Sequence, residues 1–149
     1  MIHIVRTNAA HPDFIKLVAL LDADLAERDG EEHSFYDQYN QLNLIKYALV
    51  AYEKEVAIAC GAIKEFEPKV MEVKRMYVSP ERRGEGIATK VLSALEAWAG
   101  DLGYQKCVLE TGKRQPEAIA LYTKNGYQIT PNYGQYTGIE NSVCFEKYL

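Results

Sequence analysis

Apolar residues recur along this chain with two different periods. Positions 2 to 6 read as a short strand, after which Phe14, Leu17, Val18, Leu21 and Leu25 return at three- and four-residue spacing with charges between them. That spacing predicts an amphipathic helix, closed at Asp29-Gly30, where glycine enters the left-handed conformation at little cost. A polar aromatic segment from Glu31 to Asn43 follows. From Tyr47 to Tyr52 the chain is almost wholly apolar, Glu53-Lys54-Glu55 turns it, and Val56 to Phe66 continues in strand-forming residues, so the pair reads as a hairpin. Glu67-Pro68-Lys69 makes the next turn, because proline fixes the bend and donates nothing to a ladder, and Val70 to Val78 is the strand after it.

The second half returns to helical spacing. Ile87, Val91, Leu92, Leu95 and Trp98 form one apolar stripe, expected to end at Gly100 and Gly103, and a strand is expected from Tyr104 to Glu110. Ala118, Leu121 and Tyr122 mark a third helix stopped by Asn125-Gly126. After a Tyr/Gly/Asn-rich loop, Val143 and Phe145 alternate with Cys144 and Glu146, the period of a final strand. With no repeat, linker or low-complexity tract, the 149 residues are read as a single domain, 1–149, of the α+β class.

Composition narrows the function classes. Apolar residues at 48% and charged residues at 26% describe an ordinary folding chain. The net charge of -4, from 21 acidic and 17 basic side chains spread along the whole length, leaves no basic stripe for a phosphate backbone, so nucleic acid is not expected as a partner. No apolar run approaches the ~20 residues that cross a bilayer, and Met1-Ile2-His3-Ile4-Val5 does not open a secretory signal, so no membrane and a cytoplasmic location are expected. Cys60, Cys107 and Cys144 are odd in number and set among apolar residues, which suits reduced buried thiols better than disulfides. His3, His11 and His33 show no metal-ligand spacing, and no metal is expected.

The segment that carries chemistry runs from Met76 through Val78-Ser79-Pro80-Glu81-Arg82-Arg83-Gly84-Glu85-Gly86 into Ile87-Ala88-Thr89. A strand here passes through a glycine turn straight into a helix. The first amides of a helix have no internal acceptor and carry the positive end of the dipole, so they face any anion placed there, and Gly84 and Gly86 clear the approach. Neither the Gly-Lys-Ser/Thr ending of a nucleotide loop nor the Gly-x-Gly-x-x-Gly of a dinucleotide site is present.

Arg83-Gly84-Glu85-Gly86-Ile87-Ala88 is similar to the Gln/Arg-x-x-Gly-x-Gly/Ala pattern of the GCN5-related N-acetyltransferases (GNAT family). About thirty residues on, Gln115-Pro116-Glu117-Ala118-Ile119-Ala120-Leu121-Tyr122-Thr123-Lys124-Asn125-Gly126-Tyr127 resembles that family's Asn-x-x-Ala-x-x-x-Tyr-x-x-x-Gly-Phe, with Gln115 where the family often has Asn and Tyr127 for Phe. The resemblance is closest from Glu72 to Tyr127. It implies a GNAT-type mixed central β-sheet with helices on both faces, whose central strands, here 70–78 and 104–110, splay apart. It further implies acetyl-CoA as acetyl-donor cosubstrate. The diphosphate would lie on Arg83, Gly84, Glu85, Gly86, Ile87, Ala88 and Thr89, and the pantetheine arm beside the backbone of Met76 and Val78, with Gln115 and Tyr122 also in contact.

Transfer to an amine needs the neutral amine, which an alkylammonium of pKa near 10.4 supplies in fewer than about one molecule in a thousand at pH 7. Glu72, on the strand where the family often has a carboxylate, and Glu110, at the end of the neighbouring strand, are the candidate bases, directly or through water. A backbone amide near Tyr77 and Val78 is the candidate donor to the thioester oxygen. Tyr122 matches the family's tyrosine that returns a proton to the leaving thiolate.

For the acceptor side, His33, Tyr36 and Tyr39 after the first helix and Tyr133 and Tyr136 before the last strand are the candidate binding residues, since tyrosine offers a flat apolar face and one hydroxyl. The acidic excess favours a cationic, small-molecule amine acceptor. A protein amine, N-terminal or lysine, and a domain that binds acetyl-CoA without turning it over are the alternatives. A homodimer is considered on analogy alone.

Overall fold

The computed structural model describes residues 1–29 and 45–149, and of Arg28 and Asp29 the backbone only. The expected residues His33, Tyr36 and Tyr39 lie outside the described residues. In chain order the elements are β1 (His3–Thr7), α1 (Pro12–Asp29), β2 (Tyr47–Glu53), β3 (Val56–Glu67), β4 (Val70–Val78), α2 (Ile87–Asp101), β5 (Lys106–Gly112), α3 (Pro116–Lys124), β6 (Gln128–Thr130) and β7 (Ser142–Tyr148). Single 3-10 turns at Pro80–Arg82 and Gly134–Tyr136 complete them.

The strands form one mixed sheet in the order β1-β2-β3-β4-β5-β7-β6. All neighbouring pairs are antiparallel except β4 and β5. Period-two alternation sends the strand side chains to two covered faces. On one face Ala48, Val50, Cys60 and Ala62 meet Phe14, Leu17, Val18 and Leu21 of α1. On the other, Leu49, Ala51, Ile63, Met71, Leu109 and Phe145 meet Val91, Leu92 and Leu95 of α2 and Tyr122 of α3. Helices therefore cover both faces, as expected from the resemblance. Cys60, Cys107 and Cys144 are buried and unbridged.

The elements of the second half differ most from the sequence reading. α2 runs through Gly100 to Asp101, and the left-handed residue that stops the chain is Gly103, at φ 91°. A glycine inside a helix costs only about 1 kcal/mol relative to alanine, and the fully buried Ala99 holds that last turn against the core. Tyr104 is then spent on closing the helix, its N–H donating to the Ala99 carbonyl, so β5 starts at Lys106 and continues to Gly112. The three-residue β6, pairing with β7 through Gln128, Ile129 and Thr130, is absent from the sequence reading, because a stretch that short carries no readable period.

Two features of β4 shape the cleft at its end. Its parallel pairing with β5 consists of Val70 with Lys106, Met71 with Cys107 and Glu72 with Val108, although β4 continues to Val78 and β5 to Gly112. Beyond Glu72 the two strands part. On its other side, the β3 register jumps from Ala62 opposite Lys74 to Cys60 opposite Tyr77, so β4 carries a bulge, with Arg75 held at φ 59°. A bulge bends its strand and sharpens the local twist, which helps carry the end of β4 away from β5.

Candidate active site

Where β4 ends, the chain makes the Pro80–Arg82 turn and reaches Gly84 at φ 83° and Gly86 at φ 80°. These are left-handed conformations that a side chain disfavours, and a Cβ at either would meet nothing within 4 Å. Gly86 is the cap of α2, offers no capping side chain, and its carbonyl accepts the N–H of Lys90 at 3.2 Å. The amides of Ile87, Ala88 and Thr89 have no acceptor within the helix, and these residues line a cavity of about 420 Å³. The positive end of a 15-residue helix dipole thus opens into a space.

The loop is held from below by Arg82. Its guanidinium meets Glu85 at 3.1 Å and Glu53, at the end of β2, at 3.0 Å. Arg83 turns the other way: Nε donates to the Val78 carbonyl at 2.9 Å, the guanidinium lies 5.5 Å from the Tyr77 ring centre, and its far end is 3.8 Å from Asp24 of α1. Its side chain is thereby committed to the end of β4.

A second cavity, of about 130 Å³, lies on the α1 side and is lined by Glu72, Lys74, Arg75, Glu110, Thr111 and Tyr136, among others. Leu21, Met76, Gln115, Ala118 and Tyr122 line both cavities. The two spaces therefore meet at the fork left where β4 and β5 part, with Tyr122 at the junction.

Around the smaller cavity the polar groups are tightly placed. Glu72 is 5% exposed, accepts the Tyr133 hydroxyl at 2.7 Å on Oε2, and lies 3.4 Å from Lys74 Nζ on Oε1. Burial pushes the Lys74 ammonium below its usual pKa, a shift that the Glu72 charge opposes. Glu110 accepts the Ser142 hydroxyl at 2.7 Å. Burial raises the Tyr122 hydroxyl well above the ordinary tyrosine range, and the negative Glu110 adds to the shift. Tyr133 and Tyr136 are raised in the same direction, first by burial and then by the neighbouring carboxylates.

Most of the residues named from the sequence come together here. Met76, Tyr77, Val78, Arg83, Gly84, Gly86, Ile87, Ala88, Thr89, Gln115 and Tyr122 line the larger cavity, whereas the Glu85 side chain is turned to Arg82. Glu72, Glu110 and Tyr136 line the smaller one. Tyr133 stands behind Glu72, packed edge-on against Phe66 and Tyr136 at 4.8 and 5.7 Å, and reaches the site through its hydroxyl. Sequence reasoning missed Lys74 and Arg75 in the cleft wall, Lys124 in the larger cavity, and Asn125, which ties α3 to the start of α2 by donating to Thr89 Oγ1 at 3.2 Å. Alternation along β4 could have put Lys74 on the same face as Glu72, two residues away.

Among the described residues no cluster of three or more His, Cys, Asp or Glu is arranged to hold a metal ion, and no helix is long and apolar enough to cross a membrane. The open sheet, the amide-lined helix start and the fork between parallel strands thus face one connected cleft. Residues 14–127 match the model of the Acetyltransferase (GNAT) family. An IAA acetyltransferase of Azospirillum brasilense is 38% identical over 102 residues, covering 68% of this chain and 67% of that one. A Klebsiella pneumoniae protein of known structure, assigned as an acyl-CoA N-acyltransferase, superimposes with a TM-score of 0.84 at 35% identity, over 100% of this chain and 98% of that one. A GNAT acetyltransferase from Elizabethkingia anophelis, solved with acetyl-CoA bound, shares the fold with a TM-score of 0.73 at 20% identity, over 99% and 98% of the two chains. The chain belongs to the GNAT family and is an acetyl-CoA-dependent acyltransferase.

Proposed function

We propose that this chain moves the acetyl group of acetyl-coenzyme A to the primary amine of a small polar metabolite, with the larger cavity holding the donor and the smaller one the acceptor. The observation that carries the reading is the fork beyond Glu72 and Val108, which joins the two cavities. The residues present fit the donor: unspent amides at Ile87, Ala88 and Thr89 suit its diphosphate, and the open space over Gly84 and Gly86 admits it. The edge of β4 that β5 leaves unpaired, around Met76 and Val78, suits its amide-bearing arm. Arg83 adds positive charge beside the loop, with Gln115 at the junction.

Acetyl-coenzyme A supplies the acyl group as a thioester, so an N–C bond forms, the C–S bond breaks and the thiol leaves. The chain's own residues manage the protons. Glu110, on the cleft wall with its Oε2 accepting the Ser142 hydroxyl, takes one from the acceptor's ammonium, directly or through one water. Glu72 shapes the acceptor side. Backbone N–H groups on the open edge of β4 near Tyr77 and Val78 donate to the acyl oxygen as charge grows on it. Tyr122 keeps its proton through neutral pH, since burial raises its pKa, hands it to the leaving sulfur, and is restored by the second proton that the nitrogen sheds, directly or through water, as the amide forms. The acceptor is read as small because its cleft, about 130 Å³, is walled by buried Tyr136, Glu72 and Lys74.

The test is release of coenzyme A thiol in the presence of a panel of small amines and of lysine-bearing peptides. Turnover with small amines and none with peptides is expected; the reverse order would reassign the acceptor to proteins.

A further inference from the structure

The acceptor cleft is not simply acidic. Among the described residues its wall contains Glu72 and Glu110, but also Lys74 and Arg75, two charges of each sign. A cleft built for a bare ammonium would gain nothing from two cations, and a buried cation is costly unless something compensates it.

Among the described residues neither cation is fully compensated. The Lys74 side chain is 6% exposed, and the carboxylate nearest its three donors is Glu72 Oε1, at the long distance of 3.4 Å. That carboxylate is shared, because Tyr133 donates to its other oxygen at 2.7 Å. Arg75 is 4% exposed on its side chain; it meets Asp22 of α1 at 2.6 Å through one terminal nitrogen, while its buried Nε has no hydrogen-bond partner. It is held at φ 59° by the β4 bulge, a strained backbone for a residue with a side chain. The depressed pKa of Lys74 reports the same shortfall, since burial outweighs the help from Glu72.

We infer that the acceptor is a zwitterion, an amine carrying a carboxylate nearby as in an amino acid, with Lys74 and Arg75 placed to receive the carboxylate while its amine faces Glu110. This rests on the two-cavity reading and sharpens it. Lys74 sets specificity and takes no part in the proton transfers. A carboxylate entering the cleft would supply the second acceptor that the Lys74 ammonium lacks among the described residues, as a charge-assisted hydrogen bond away from water.

The experiment compares each common amino acid with its own carboxamide as acceptor, which keeps the amine and removes the carboxylate charge. Rates are referred to the concentration of neutral amine, and acetyl-coenzyme A binding is followed separately by calorimetry. The wild-type protein is expected to favour the best amino acids over their carboxamides by about ten- to a hundredfold in kcat/KM. In Lys74→Gln that preference should fall to within about threefold, chiefly through acceptor KM, and in Lys74→Arg it should survive in part. The inference is overturned if wild-type protein that binds acetyl-coenzyme A shows no carboxylate preference, or if Lys74→Gln keeps the wild-type ratio. Absence of acetyl-coenzyme A binding itself would instead take down the two-cavity reading, and this inference with it.

Discussion

Glu72 of β4 and Val108 of β5 are the last residues at which those two parallel strands pair. From that point β4 runs on for six residues, to Val78, with an edge that its parallel neighbour leaves open. An unpaired edge inside a sheet is costly unless another hydrogen-bonding chain completes it. The fork is therefore an irregularity of the sheet at the place proposed for the donor's arm. The bulge at Arg75 and the left-handed Gly84 and Gly86 place the strand end and the helix start on the same cavity.

Tyr122 is expected to act as an acid. Tyr122→Phe should lower kcat by about ten- to a thousandfold and leave acetyl-coenzyme A affinity nearly unchanged, since only the hydroxyl is removed from a packed ring. Because the pKa of Tyr122 is raised, the proton is retained to higher pH than in an ordinary tyrosine. The alkaline limb of kcat should then show no loss from this group below about pH 10. A pH-rate profile of both proteins checks it; equal kcat values would remove Tyr122 from the chemistry.

Gly86 is expected to matter for the donor through its conformation. At φ 80°, Gly86→Ala should strain the cap of α2 by about 1 kcal/mol and turn the amides behind it. Titration calorimetry should show coenzyme A affinity reduced roughly five- to fiftyfold, with circular dichroism unchanged. Undiminished affinity would place the diphosphate elsewhere.

The Glu72 and Lys74 pair lends itself to a double-mutant cycle. Both residues are buried, at 5% and 8% exposure, so Glu72→Gln alone leaves a buried cation with less compensation and should cost about 3 kcal/mol of stability. The double replacement, Glu72→Gln with Lys74→Met, should recover most of that loss. The pH dependence has a defined sign: a lysine whose folded pKa is depressed binds fewer protons when folded, so its contribution is fully present above about pH 10.4 and is lost as pH falls through the folded value. Denaturant midpoints should rise with pH in that window, and that part of the rise should vanish in Lys74→Met.

The cysteines should be silent. Burial raises Cys60 and Cys107 to about 12 and Cys144 to about 11, so thiolate is scarce at neutral pH and access is closed. A disulfide reagent added to native protein should find no fast-reacting thiol, and all three should appear in denaturant. That would allow thiol release to be followed as an assay without background.

The sequence makes some of this legible and hides the rest for physical reasons. Ile87, Val91 and Leu95 announce α2 because one face of that helix is buried, and Gly84 and Gly86 announce the turn before it because only glycine sits easily at positive φ. The bulge at Arg75 leaves no mark, since Val70 to Val78 reads as a smooth strand and the register is set by β3 across from it. Lys74 and Arg75 escape notice because charge in a sequence ordinarily signals exposure, and here both are buried on a strand against which α1 packs, with Arg75 bonded to Asp22. Tyr133 could be placed near the acceptor by composition, but its bond to Glu72, 61 residues away, belongs to the tertiary structure.

The most direct measurement is an amide-resolved NMR titration of the labelled protein with coenzyme A. The largest shifts are expected at the N–H groups of Gly86, Ile87, Ala88 and Thr89 and along Met76 to Val78, where the helix start and the open strand edge share one cavity. Shifts absent from those amides at saturating coenzyme A, or concentrated on the β1 side of the sheet, would contradict the assignment of the donor to the fork between β4 and β5.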